Sequence, residues 1–307
     1  MTQKNGACAP TASLGLEKVE LAFRDALQSS YGRLEWVPVA DGALHRFHVP
    51  GDKAGTCNGW YVLHLDGIAA GAYGSWKDAG TWRQWSSRAP ANPREHEQLR
   101  QRIEQARRQR EAEQHQRQQA AAEYAARLWR DARRADPGHP YLVGKGCRSH
   151  TLRQRGDVLL VPLSRDGVLV NLQRIHPDGA KRFLSGGMVK GCCSSLGSIA
   201  AGQPLYICEG WATGATIHEE TGAAVACAMN AGNLLDVGRR LQRRHPDAVL
   251  IVAGDDDRQT EGNPGRTAAI KSAATLGCGL VLPEWPPGAP VNLSDFNDLR
   301  QWREARA

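Results

Sequence analysis

A chain of 307 residues with 39 Lys and Arg against 32 Asp and Glu carries a net charge of +7 and a pI near 9.1. That length allows two or three compact units with connectors, and the basic balance suits a polyanionic partner, nucleic acid before an anionic membrane surface. No apolar run is long enough to span a bilayer, and MTQKNGACAPTASLG lacks the basic start and apolar core of a signal peptide, so the expectation is a cytosolic protein without a membrane partner.

In chain order, LEKVELAFRDAL has helical spacing. The stretch from 14 to 89 then carries five of the nine tryptophans (Trp36, Trp60, Trp76, Trp82, Trp85) and turn signals at Asp41-Gly42, Pro50-Gly51 and Asp66-Gly67. Its short apolar segments LHRFHV, WYVLHL and IAAGAYG predict a β-rich N-terminal domain over residues 1–90, built as a meander or small curled sheet. The tryptophans suit either a small core or stacking of unpaired bases on a single-strand template. His45, His48, Cys57 and His64 lack a persuasive zinc-ligand spacing. Residues 91–136, dominated by Arg, Gln, Glu and Ala, predict a long polar helix with a thin apolar stripe, which reads as a solvated connector before it reads as a track for phosphates.

After Asp136-Pro137-Gly138, DVLLVPL and VLVNLQRI flank Ser164-Arg165-Asp166-Gly167 and predict a hairpin. It opens a basic α+β subdomain over 137–202, which continues through HPDGAKRFLSGG. From 203 to 307, LYICE, WATGATIHEE, AAVACAM, NLLDVGRRLQRR, AVLIVA, PGRTAAIKSAATLG and CGLVLP alternate as βαβαβαβ. That alternation calls for an α/β domain with a mostly parallel sheet and helices on both faces. The eight cysteines form no CxxC pair and no disulfide framework; reduced structural thiols are expected, with Cys208, Cys227 and Cys278 inside strands.

Two acidic sites follow apolar runs directly: Glu209 after LYIC, and Asp255-Asp256-Asp257 after AVLIVAG. Ligands of an open parallel sheet collect beyond the carboxyl ends of its strands, so both sites are expected to face one crevice. Three successive aspartates repel one another unless cations or backbone donors offset the charge. In an extended segment Asp255 and Asp257 point one way and Asp256 the other. Carboxylate oxygens suit Mg²⁺ or Mn²⁺, and a metal pair stabilises both the attacking and the leaving oxygen of a phosphoryl transfer. Lys181, Arg182, Lys190 and Arg258 are candidates for holding a phosphate backbone or a triphosphate.

LYICEGWATG together with VAGDDD, two βα units apart, resembles the TOPRIM domain of primases, topoisomerases and related nucleases. The preceding segment from DVLLVPL to FLSGG is similar to the basic subdomain of DnaG-type bacterial primases, particularly those of plasmids, phages and integrative elements. Together they cover about residues 139 to 300. The resemblance implies that Glu209, Asp255 and Asp257 are catalytic and hold divalent metal, that Asp295 in SDFNDL is a further acidic position near the metals, and that Arg174, Lys181 and Arg182 contact template or incoming nucleotide. It implies synthesis of RNA primers on single-stranded DNA from ribonucleoside triphosphates, with a separate replicative helicase as partner. Thr213 departs from the pattern by standing where an additional aspartate is common, and residues 258–262 lengthen the loop after the aspartates. A TOPRIM nuclease and a noncatalytic module that binds single strands or recruits a helicase are the alternatives, although no GxxxxGK[ST] phosphate loop occurs in the chain.

Overall fold

The computed structural model describes residues 11–65, 67–77 and 82–306; Cys8 and the Asp66 half of one expected turn lie outside them. The chain folds as two compact units, one ending at His115 and one beginning at Gln116.

The first unit is built on a four-stranded antiparallel meander in sequential order: β1 (His45–Phe47), β2 (Gly59–His64), β3 (Ala70–Ser75) and β4 (Trp82–Ser86). The helix α1 (Thr11–Tyr31) supplies Phe23 and Leu27, both fully buried, to the face that carries Phe47, Tyr61, Leu63 and Tyr73. The opposite face buries Trp60, Val62 and Ala72 against Ala106 of the long helix α2 (Pro93–Asp131). Sandwiching explains why β2 and β3 are apolar at nearly every position and do not alternate. A side chain at Gly71 would meet the Val62 carbonyl at 2.6 Å and the Phe23 ring at 2.8 Å, so the close helix–sheet approach requires glycine there. The expected β-rich domain is thus an α+β layer structure, and Trp60 is core, with the Arg110 guanidinium 5.4 Å above its ring. His45 contacts Asp41 at 2.8 Å and His48 the Thr56 carbonyl at 2.8 Å.

Where the sequence suggests a solvated connector, α2 is a structural element of each unit in turn. Ala106 is buried in the first, and Ala125 and Leu128 are buried in the second against Leu160, Leu172 and Leu184. Alanines let a helix backbone approach closely, so a thin stripe suffices for packing.

The second unit holds two sheets. The first has the order β5-β6-β7-β8-β9 and is antiparallel: β5 (Arg133–Arg134), β6 (Arg153–Arg155), β7 (Val158–Arg165), β8 (Val168–Ile175) and β9 (Lys181–Phe183). The short helix α3 (Pro140–Lys145) lies between β5 and β6 in sequence. Asp166 and Gly167, both at positive φ (54° and 86°), make the tight β7–β8 turn that the Asp-Gly pair predicts. A bulge at Leu163/Ser164 turns Ser164 to pair with Cys193.

The second sheet has the order β10-β12-β11-β13-β14: β10 (Ser194–Leu196), β11 (Pro204–Cys208), β12 (Ala224–Cys227), β13 (Val249–Ala253) and β14 (Gly279–Val281). All neighbours are parallel except the edge strand β10. The helices α4 (Trp211–Thr221), α5 (Leu234–Arg244) and α6 (Pro264–Leu276) are the crossovers, and α7 (Phe296–Glu304) follows. Side chains alternate between two cores. Cys208, Val225, Cys227 and Ala253 face Trp211, Ala212 and Ala215, while Leu205, Ile207, Ala226 and Val252 face Val237, Leu241, Ala269 and Ala273. Cys208 and Cys227 are buried as expected, whereas Cys278 immediately precedes β14 and is only partly buried.

Candidate active site

Strands β11 and β13 are direct neighbours with Cys208 opposite Ala253, so the residues leaving their carboxyl ends emerge side by side. The chain passes from β11 through α4 to one side and, after α5, returns on the other. That reversal opens a crevice at this end of the sheet. Glu209, Asp255 and Asp295 line one cavity of about 200 Å³ there, together with Lys145, Lys181, Gln173 and Thr213.

Charge crowding marks the site. Burial, followed by repulsion from Asp295 and Glu209, pushes the Asp255 carboxyl up to about 8, and its buried Oδ1 has no hydrogen-bond partner. Burial and then Asp257 raise Glu209 above the ordinary carboxylate range, and burial and then Asp298 raise Asp295. Across the cavity the Lys181 ammonium lies 5.5 Å from the Tyr141 ring. Loss of hydration among the cavity walls, then repulsion from Lys145, lowers its pKa. Lys145 also contacts Asp298 at 3.4 Å.

Of the three aspartates, Asp255 lines the cavity and Asp257 does not. Asp256 is turned away and buried. It accepts hydrogen bonds from Asn263 at 2.7 Å, Trp285 at 3.0 Å and Arg266 at 3.4 Å. Asp257 accepts the Gly265 N–H at 2.9 Å at the start of α6; a Cβ on Gly265 would approach that same oxygen to 2.8 Å, so the contact depends on glycine. Asp295 caps α7, accepting the Asp298 N–H at 2.8 Å, and its other oxygen accepts the Thr213 hydroxyl at 3.2 Å.

The basic candidates do not gather as one group. Lys181 lines the cavity. Arg174 and Arg182 are register partners one position away from it, so the pleat turns them to the opposite face of their sheet. Lys190 pairs with Asp236 at 3.5 Å outside the cavity. Arg258 stacks 4.4 Å from the Trp285 ring and donates to the Pro290 and Leu293 carbonyls at 2.6 and 3.2 Å, which holds the long loop closed. Lys145 and Gln173 are cavity residues absent from the sequence-derived set. A lysine between two glycines in GKG, at the end of a helix six residues long, carries no periodicity signal, and only tertiary folding brings it opposite Glu209.

Among the described residues, no three His, Cys, Asp or Glu side chains are arranged to hold one metal ion, so a shared ligand set of Glu209, Asp255, Asp257 and Asp295 is not assembled. The donor chemistry still fits a hard dication. Mg²⁺ takes one or two carboxylates and completes its octahedron with water and substrate phosphates, and the orphaned Asp255 Oδ1 beside Glu209 supplies such donors. Among the same residues, no helix is long and apolar enough to cross a membrane.

Residues 204–305 match the Toprim domain family. Over 266 residues, 82% of the chain, the sequence is 37% identical to an Escherichia coli DNA primase TraC, and over 262 residues it is 35% identical to a second DNA primase TraC from Escherichia coli. The chain spans 25% and 18% of the length of these relatives. A solved structure of bacteriophage T7 lagging-strand DNA polymerase interacting with primase domains of two gp4 subunits aligns over 54% of this chain and 86% of that one, at a TM-score of 0.36 and 14% identity. The parallel strands and their acidic ends lie within the residues, 204–305, that are similar to the Toprim domain family.

Proposed function

We propose that the chain is the catalytic part of a DNA primase that joins ribonucleotides on a single-stranded DNA template, in the cytosol and for a plasmid, phage or integrative element. The observation that carries this reading is the single cavity in which Glu209 and Asp255, from neighbouring strands, face Lys181 and Lys145. Extending a primer forms a bond from a 3′-hydroxyl oxygen to an α-phosphorus and breaks the bond to pyrophosphate. Bound Mg²⁺ or Mn²⁺ would supply Lewis-acid stabilisation of the entering and leaving oxygens, held by Glu209 and Asp255 with Asp257 and Asp295 adding negative charge nearby.

The chain's own residues set the stage for that step. Lys181 and Lys145 attract the polyphosphate, and the depressed pKa of Lys181 reflects a desolvated ammonium that gains most when an anion arrives. Thr213 and the α7 backbone fix Asp295, and Gly265 fixes Asp257, so the acidic wall is held before substrate binds. The described cysteines are free thiols, which suits a reducing compartment. A separate helicase is the expected partner that exposes the template.

Purified protein incubated with single-stranded DNA, labelled ribonucleotides and Mg²⁺ tests the reading, alongside Asp255→Asn and Glu209→Gln. Short RNA products that disappear in both folded variants support it. Cleavage without synthesis would make the chain a nuclease, and salt-sensitive binding with neither activity would make it a binding module.

A further inference from the structure

Strand β8 places one polar side chain on an apolar stretch of its sheet. Gln173 is opposite Val161 of β7 and Phe183 of β9, so both of its cross-strand neighbours on that face are hydrocarbon. Lys181 stands two positions from Phe183 along β9 and therefore shares the face, and both Lys181 and Gln173 line the acidic cavity. Gln173 is 6% exposed, and its side-chain amide has no hydrogen-bond partner among the described residues.

An amide buried without partners is costly, and a leucine of similar size would pack against Val161 and Phe183 without that cost. The group is suited to a ligand that enters the cavity and satisfies it. Its two ends differ, since Nε2 donates and Oε1 accepts. Phosphate oxygens only accept, so they match the ammonium groups of Lys145 and Lys181 and leave Oε1 unmet. The Thr213 hydroxyl is engaged by Asp295 at 3.2 Å, and the Trp211 indole N–H, buried in the same lining without a partner, can only donate. Among these lining side chains, Gln173 offers a free donor and a free neutral acceptor side by side. A vicinal pair of sugar hydroxyls is the complement: one donates to Oε1 and its neighbour accepts from Nε2.

We infer that Gln173 is a specificity-determining residue that binds the ribose diol of an incoming ribonucleotide while Lys181 and Lys145 hold its phosphates. The cavity, at about 200 Å³, is smaller than the roughly 300 Å³ at which pockets begin to enclose a whole drug-sized ligand, so it takes the sugar and phosphates and leaves the base outside for the template. A 2′-deoxy sugar lacks one of the two hydroxyls and leaves one end of the buried amide unpaired. Sites built to bond a hydroxyl reject an analogue without it far more strongly than apolar pockets reject a misfit. The assignment rests on the primase reading for its substrate class, but nucleotide binding tests it without synthesis.

The test is isothermal titration calorimetry of the protein with ATP and with 2′-deoxy-ATP, in Mg²⁺ and without template, so that nothing turns over. The parent is expected to bind ATP at least about tenfold more tightly, and Gln173→Leu to bring the two within about twofold while its melting temperature holds or rises. Gln173→Met, unbranched like glutamine, carries the same comparison if the leucine variant does not fold. Lys181→Gln is expected to weaken both nucleotides alike, because their phosphates are the same. UTP against 2′-deoxy-UTP should reproduce the preference, since it belongs to the sugar. Equal binding of ATP and 2′-deoxy-ATP by the parent, an undiminished preference in the folded variants, or a preference confined to adenine would each overturn the assignment, as would uptake of neither nucleotide. A parent that prefers ATP but makes no primers leaves Gln173 assigned and removes synthesis; a parent that makes primers but binds both sugars alike does the reverse.

Discussion

Asn297 has no solvent exposure and donates its amide to the Lys145 carbonyl at 2.7 Å and to the Thr216 hydroxyl at 2.9 Å, tying the cavity's lysine to both α4 and α7. One buried side chain thereby fixes three elements that meet behind the acidic wall. Arg300 reinforces the joint by donating to the Gly146 carbonyl at 2.8 Å and to Glu219, also at 2.8 Å.

Asn297→Ala should therefore cost more than an ordinary surface substitution. It leaves the Lys145 carbonyl and the Thr216 hydroxyl short of a donor in the interior, and a loss of about 2 kcal/mol is expected in urea unfolding. Activity should fall as well, since Lys145 is released; a variant as stable as the parent would contradict the role of this joint.

Asp256 and Asp257, adjacent in sequence, should behave as opposites. Asp256→Ala strips the anchor from Asn263, Trp285 and Arg266 and is expected to destabilise the fold by about 2–4 kcal/mol, whereas Asp257→Asn should keep its melting temperature and lose synthesis. Burial raises the Asp256 carboxyl, but hydrogen bonds from Asn263, Trp285 and Arg266 outweigh it and leave the pKa lowered. Its stabilisation is thus present above the ordinary aspartate pKa and lost as pH falls through the depressed value. The gap in stability between parent and Asp256→Ala should close in acid, as measured by unfolding at a series of pH values.

For Asp255 the sign is reversed. Its folded pKa of about 8 lies above the ordinary 3.8, so between those values the native state holds a proton that the unfolded chain releases. Stability from this group is complete below the ordinary value and declines as pH rises through about 8. Asp255→Asn should accordingly be more stable than the parent at pH 8, by about 1–3 kcal/mol after allowance for solvent screening, and nearly equal to it at pH 4. Mg²⁺ should raise the parent's melting temperature more at pH 8 than at pH 6, because binding must expel that proton. A pH-independent effect of Mg²⁺ in the parent, or the same response in Asp255→Asn, would remove Asp255 from the site.

Thr213→Asp places a fourth carboxylate against Asp295 in the cavity wall, where Thr213 is buried. In EDTA the added repulsion and desolvation are expected to destabilise the protein by about 2 kcal/mol or more, with Mg²⁺ recovering part of the loss. Thermal melts with and without the cation measure both. If Mg²⁺ recovers nothing, the cavity does not hold the ion on this side.

Much of the second unit was legible in the chain. Apolar runs of strand length alternating with helical segments specify βαβ units; the Asp-Gly pair specifies the hairpin turn; Glu209 and Asp255 end adjacent strands because acids follow directly on apolar runs. These features are local, or follow from a connection rule that applies to any such alternation. That Asp256 turns away from Asp255 was legible for the same reason, since side chains alternate with a period of two.

Contacts between segments far apart in sequence were not legible. The family resemblance grouped Arg174, Lys181 and Arg182 as contacts to template or nucleotide, but pairing of β8 with β9 sends Lys181 into the cavity and the two arginines to the reverse side. Arg258 is charged like the others, yet Trp285 and two carbonyls engage it in closing a loop. Lys145 reaches the site only because Asn297, 152 residues later, holds its carbonyl. Sequence by itself determined which residues sit at strand ends, because strand and helix periods are set by backbone geometry. Which charges meet, and which are kept apart, was decided by register and long-range packing, where a shift of one residue exchanges one face of a sheet for the other.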